Sequence, residues 1–213
     1  MPHPIISHQA PTLFIKMKYA KRIDGTAICI GSLVPDLCEI FPLGIRPLTH
    51  SLLGLFIWTA PLTILLTMLF CRHIGPIISK FAKKDGLISK PLKYFGVDDW
   101  HILKKKVFNK QFFIVAFYSA LIGGVTHLLF DLPAHGGITL FYPWTFPVPH
   151  FLQTLVIDLG TITIGIWQYD VSYRIYNVIW HIENAILFFI SLYLLRNIKK
   201  HNLISKWDKN LKK

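Results

Sequence analysis

The sequence predicts an all-α fold: a polytopic helical membrane protein with four or five membrane-embedded helices and a polar, metal-type site near the outer face. Three observations carry that expectation. Of 213 residues, 53% are apolar and 16% charged, whereas soluble globular domains run nearer a quarter charged. Uncharged apolar runs of about twenty residues recur, the length that crosses a bilayer core. Basic residues sit in blocks between those runs: four from Lys16 to Arg22, ten from Arg72 to Lys110, seven from Arg196 to the end, and none from 111 to 173. With a mean hydropathy of +0.46, intrinsic disorder and a coiled coil are excluded. The chain reads as a single membrane domain over residues 1–213.

The clearest span is Ser51 to Cys71, charge-free over 21 residues, which covers about 30 Å at about 1.5 Å per residue. Arg72 follows at once, so this end is expected on the cytoplasmic side. The basic loop 72–110 carries Gly75-Pro76, Lys83-Lys84-Asp85-Gly86 and Lys104 to Lys106, signals of turns and a headgroup anchor. Gln111 to Phe130 then runs outward, and Ile175 to Leu195 runs back to a basic cytoplasmic tail, 196–213. Asp24 to Phe41 is a weaker span, because Asp36 and Glu39 lie in it and a carboxylate at membrane depth costs about 2.5–3.5 kcal/mol.

Between the second and third spans lies an expected outer loop, 132–174. Its stretch Leu152 to Trp167 fits a span, a re-entrant segment or a hairpin. A full crossing would put the basic tail outside, so an element that does not cross is expected. Tyr142 to Pro149 is rich in proline and aromatics and suits an interfacial belt or a lid over the outer mouth, the belt being favoured. Cys29, Cys38 and Cys71 form no CxxC pair and read as packing residues. No removable signal peptide is apparent at the N-terminus. The net charge of +12 falls in loops beside spans, so it orients the chain and meets anionic lipid; membrane lipid is the expected partner and nucleic acid is not. The expected location is the cell (inner) membrane. Oligomeric state is not encoded in these features.

This topology gathers polar residues at one level. His50 precedes the first span, while His127 and Asp131 close the second, so all three lie toward the outer face, with Asp36 and Glu39 approaching the same level. His127 and Asp131 are i and i+4, on one helix face. His135 follows four residues later, beyond Pro133, where the chain can fold back. Imidazoles and carboxylates converging at one depth are the donor set of a borderline or hard divalent ion; mutual His/Asp pairing is the alternative. His181 and Glu183 are two apart in the last span and point to different faces. Glu183 therefore reads as a supporting or packing residue.

The ordered segments SHQA at 7–10, GSLVPDLCE at 31–39, THSLLGL at 49–55 and GGVTHLLFDLPAHGG at 123–137 resemble the predicted membrane-bound metal-dependent hydrolases, multi-spanning bacterial and archaeal proteins. The resemblance covers roughly residues 5–140. It implies His8, Asp36, His50, His127, Asp131 and His135 as metal-site positions, the set reached by convergence with His8 added. For His8 to join them, a short helix from Gln9 to Tyr19 has to dip in from the outer side, with Lys16 to Arg22 snorkelling to the inner headgroups.

The expected function is that of a metal-dependent hydrolase acting on a phosphoester or other ester in a lipid or lipid-linked substrate, with one or two divalent ions, zinc favoured. Glu39 or Asp36 is the candidate general base, Glu39 following Asp36 by three residues on one helical face. The rival is a non-catalytic protein with a structural metal site or a cation or proton pathway.

Overall fold

The computed structural model describes residues 6–40, 44–84, 86–135, 137–164 and 167–204. Phe41, Asp85, Gly136 and the tail beyond 204 lie outside the described residues. Among the described residues, three helices are long and apolar enough to cross a membrane: Leu52–Ala82, Lys110–Ala134 and Ile175–Lys200. They are called α3, α4 and α5, after two shorter helices, α1 (Gln9–Lys18) and α2 (Gly25–Gly31). Ser51 caps α3, its hydroxyl accepting from the Gly54 N–H at 2.9 Å, and Asn109 caps α4 through the Phe112 N–H at 2.9 Å, so each start is written in a short polar side chain. Helix α3 widens into π turns at Leu55–Thr59 and Phe70–Ile74. Each lies just before a proline, Pro61 or Pro76, whose missing N–H and bulky ring break the regular ladder.

Asp24–Phe41 does not form one span. It breaks into α2, a 3-10 turn at Val34–Asp36 and a single helical turn at Leu37–Ile40, with Pro35 at the break. Instead of a fourth or fifth span, α1 and α2 pair antiparallel: Gln9 Nε2 donates to the Cys29 carbonyl at 3.3 Å and to Ser32 Oγ at 3.1 Å. The short entering helix expected after His8 is α1. Lys16 departs from expectation, being only 1% exposed. Its ammonium donates to the Ala20 carbonyl at 2.7 Å and to the Ile23 carbonyl, closing the α1–α2 turn from inside instead of snorkelling.

Helix α2 lies directly on α4, because the two meet through glycine. A Cβ on Gly123 would fall on the Ile28 carbonyl and 2.9 Å from the Ser32 nitrogen. Gly123→Ala should therefore force two backbones apart and cost about 1–3 kcal/mol, read as a lowered melting temperature of the detergent-solubilised protein. Gly86→Ala, whose Cβ would meet only Ser89 Oγ at 3.6 Å, should stay within about 0.5 kcal/mol.

The all-α expectation is corrected by two antiparallel hairpins, so the fold is mostly helical with small sheets. Strand β1 (Gly137–Phe141) pairs with β2 (Trp144–Pro147), and β3 (Leu155–Ile164) with β4 (Trp167–Arg174). Of the three readings of 152–167, the hairpin is the one observed. Asp158 Oδ1 accepts from the Gly160 N–H at 2.9 Å within it. At the opposite end of the bundle, the basic segments make specific contacts. Lys199 pairs with Asp98 at 3.0 Å and Asp99 at 2.8 Å, and Arg196 lies 4.0 Å over the Tyr94 ring, so the end of α5 is docked on the 72–110 loop.

Candidate functional site

Four side chains from three parts of the chain aim one atom each at a common point. Asp36, His50, His127 and Asp131 offer ligand atoms that all lie within 4.8 Å of one another. Every edge that involves a nitrogen is shorter: His50 Nε2 lies 3.2 Å from Asp36 Oδ1 and 3.5 Å from Asp131 Oδ2. His127 Nε2 lies 3.3 Å from Asp36 Oδ1 and 3.1 Å from Asp131 Oδ2. The two imidazole nitrogens are 3.5 Å apart. A tetrahedral ion with bonds of about 2.0–2.2 Å spaces its ligand atoms about 3.3–3.6 Å apart, so the donor set fits a single small cation.

The local sequence explains the convergence. His50 ends a single turn, Arg46–Thr49, folded tightly against the start of α3. A Cβ at Gly54 would overlap the Leu48 carbonyl oxygen, so only glycine lets that turn approach. The turn also fixes the ring. His50 Nδ1 lies 3.0 Å from Thr49 Oγ1 and 3.3 Å from the Arg46 carbonyl. The Arg46 carbonyl and Thr49 hydroxyl hold Nδ1 toward the turn, so Nε2 faces the cluster, the orientation of a metal-ligating imidazole. On α4, His127 and Asp131 sit one turn apart, and the His127 ring is held by the His8 ring at 4.6 Å between centroids.

A positive ion would ease the electrostatics of this cluster. Asp131 Oδ2 is buried and accepts no hydrogen bond, although His127 Nε2 is 3.1 Å away. A buried carboxylate oxygen without an aligned donor is costly, and a shared cation would remove that cost. Burial by itself would raise the Asp36 carboxyl, but contact with His127 and His50 holds it well below the usual carboxylate range. Burial pushes the His8 imidazole down to about 4, leaving it neutral and able to donate a lone pair at neutral pH.

The six expected metal positions are brought together. His135 Nε2 lies 3.4 Å and His8 Nε2 3.9 Å from Asp131 Oδ1, on the far oxygen from the four-atom cluster. Glu39 is placed differently from the expected base. Its carboxylate meets Arg46 Nε at 2.7 Å at the exposed rim, seven residues along and beyond what a single helical face could anticipate. Sequence reasoning missed Thr49, whose hydroxyl lies 3.0 Å from His50 Nδ1. Glu183, expected as a supporting or packing residue, has its Oε1 buried without a hydrogen-bond partner.

Comparison with curated proteins and with solved structures finds no match. The hydrolase family that the motifs resemble is not confirmed by these comparisons. What does match, across residues 1–211 and so nearly the whole chain, is the family described as Domain of unknown function (DUF4184), to which this protein belongs.

Proposed function

We propose that the protein is a membrane-embedded metal-dependent hydrolase that cuts a phosphoester or other ester in a lipid or lipid-linked substrate. The observation that supports this best is the four-atom cluster, two imidazole nitrogens and two carboxylate oxygens in which the five distances that involve a nitrogen are 3.1–3.5 Å. Asp36, His50, His127 and Asp131 hold the ion, and zinc suits the equal share of nitrogen and oxygen donors. A bound divalent ion of this kind lowers the pKa of coordinated water toward neutrality and polarises an ester oxygen. Asp36, its side chain 23% exposed, is the ligand that faces the mouth and takes the proton. Glu39, engaged by Arg46, is left to hold the rim.

The basic segments cap the far ends of the same helices, so the charge bias supports a site toward the outer face of the cell membrane. Ester bonds of lipids present themselves at that level, and a substrate can diffuse in laterally between the spans. The α1–α2 pair enters from the same side and counts as embedded without crossing. A cation or proton pathway is disfavoured, because below the cluster the helices close up: a Cβ on Gly124 would lie 3.1 Å from Thr59 Cγ2. A closed structural site is disfavoured by the exposed edge of Asp36.

The test is hydrolysis of a short-chain phospholipid and of a lipid-linked diphosphate by the detergent-purified protein. Turnover is expected with added zinc, lost with a chelator, and reduced at least about 100-fold in His127→Ala, the scale on which ligand environments control activity. Glu39→Gln should stay within about threefold of wild type. No metal-dependent turnover on any ester would overturn the reading.

A further inference from the structure

Helix α3 is longer than the bilayer core it would cross. Its 31 residues, Leu52–Ala82, cover about 46 Å at about 1.5 Å per residue, against a hydrocarbon core of about 30 Å. The surplus begins near Arg72, beside the π turn at Phe70–Ile74 and Pro76, features at which helices bend. Its packing is the reverse of a water-facing helix. Gly75, Pro76, Ser79 and Ala82 are buried, and the Ser79 hydroxyl donates to the Asp98 carbonyl at 2.6 Å. The large apolar side chains are the exposed ones: Ile74, Ile77 and Phe81, with Ile77 at 65%. The next segment continues the pattern, since Leu87 is 91% exposed and Ile88 65%, just before a short helix at Ser89–Tyr94.

Lysines accompany these residues. Lys80, Lys83, Lys84, Lys90 and Lys93 are exposed, and among the described residues none of them pairs with a carboxylate. Asp98 and Asp99 do not offset them, because Lys199 takes both, at 3.0 and 2.8 Å. Apolar tips interleaved with unpaired ammonium groups are the composition of a surface that lies in the headgroup plane of an anionic membrane. Water would leave the apolar tips unburied. A second copy fits poorly too, since a twofold interface sets a patch against itself and would face lysine with lysine.

We propose that the stretches 74–84 and 86–94 form a foot that binds anionic phospholipid of the inner leaflet. Ile77, Phe81, Leu87 and Ile88 enter the acyl boundary, and the five lysines meet the phosphates with their stems along the apolar tips. Through Ser79 to Asp98 and Asp98 to Lys199, the seated foot holds the ends of α3 and α5 together. None of this depends on the metal reading. It is narrower than a general basic anchor, because it requires acidic lipid and these apolar side chains together.

The full-length chain is placed, one copy per disc, in nanodiscs of phosphatidylcholine or of phosphatidylcholine mixed with phosphatidylglycerol. Trypsin cleavage after Lys83, Lys84, Lys90 and Lys93 is followed by mass spectrometry. Each lysine at an anionic surface is worth about fivefold in association, so cleavage is expected to be at least about tenfold slower in the mixed discs. At about 1 M salt, where the screening length falls to about 3 Å, the two rates should converge. The double variant Leu87→Glu, Ile88→Glu, at exposed positions, should keep the wild-type melting temperature in detergent and lose the protection in mixed discs. Equal rates in the two discs at low salt overturn the proposal, as does protection that the double variant retains. Protection that appears only with two copies per disc, whatever the lipid, assigns the surface to a second chain and overturns it as well.

Discussion

Asp131→Asn is expected to leave the purified protein without tightly bound metal. Asp131 is the residue that meets His8, His50, His127 and His135 alike, with Oδ2 at 3.1 Å from His127 and Oδ1 at 3.4 Å from His135. Asparagine preserves the volume at this buried position but removes the charge and one ligand oxygen. Losing an outer partner of a metal site costs about 10–100-fold in affinity, so losing a ligand should exceed about 100-fold. A second readout separates metal loss from misfolding. At a hundredfold excess over Kd, a ligand adds about 2.7 kcal/mol of stability, worth about 5–10 °C in Tm for a chain of this size. A chelator should lower the melting temperature of wild type by that order and leave Asp131→Asn unmoved. Wild-type metal content in Asp131→Asn would refute the centre. His73→Ala and His201→Ala, whose side chains are exposed, serve as controls and should keep full metal.

The three spans were legible because charge-free runs of about twenty residues have few other solutions. The site was legible for a related reason: imidazoles and carboxylates in apolar surroundings must find one another, and the alternating topology put His50, His127 and Asp131 at one end. The hairpins were harder. LVIDLGTITI at 155–164 is continuous in apolar and β-branched residues, a pattern that periodicity alone assigns equally to a buried helix or a strand. Lys16 misled because a long basic side chain usually reaches outward, and nothing local shows that two carbonyls of the following turn wait for it. The Glu39–Arg46 contact was not legible because Arg46 is brought near by a turn, and helical spacing says nothing about a turn.

Asp24→Asn is expected to be the most destabilising single change away from the site. Asp24 and Lys106 form an ion pair whose side chains are 0% and 4% exposed. Lys106 Nζ donates to Oδ2 at 2.8 Å and to Oδ1 at 3.1 Å. The same aspartate caps α2 through the Ala27 N–H at 2.9 Å, and its own N–H reaches Ser119 Oγ on α4 at 2.9 Å. Removing one member of a buried pair strands the other charge, at a cost of about 3–5 kcal/mol. The pair itself is nearly neutral against an apolar replacement, so Asp24→Leu with Lys106→Met should recover much of the loss, and a double-mutant cycle would show strong coupling. Acid provides an independent check. Burial would raise the Asp24 carboxyl, but the Lys106 charge and hydrogen bond outweigh it and hold the group below its ordinary value. A lowered folded value means that the pair's stabilisation is complete above about pH 4, the unfolded carboxylate value, and is lost as the pH falls through the lower folded one. Wild type should therefore lose stability below about pH 4 by an increment that Asp24→Asn lacks; equal acid sensitivity in the two proteins would show that this pair does not anchor α2 to the base of α4.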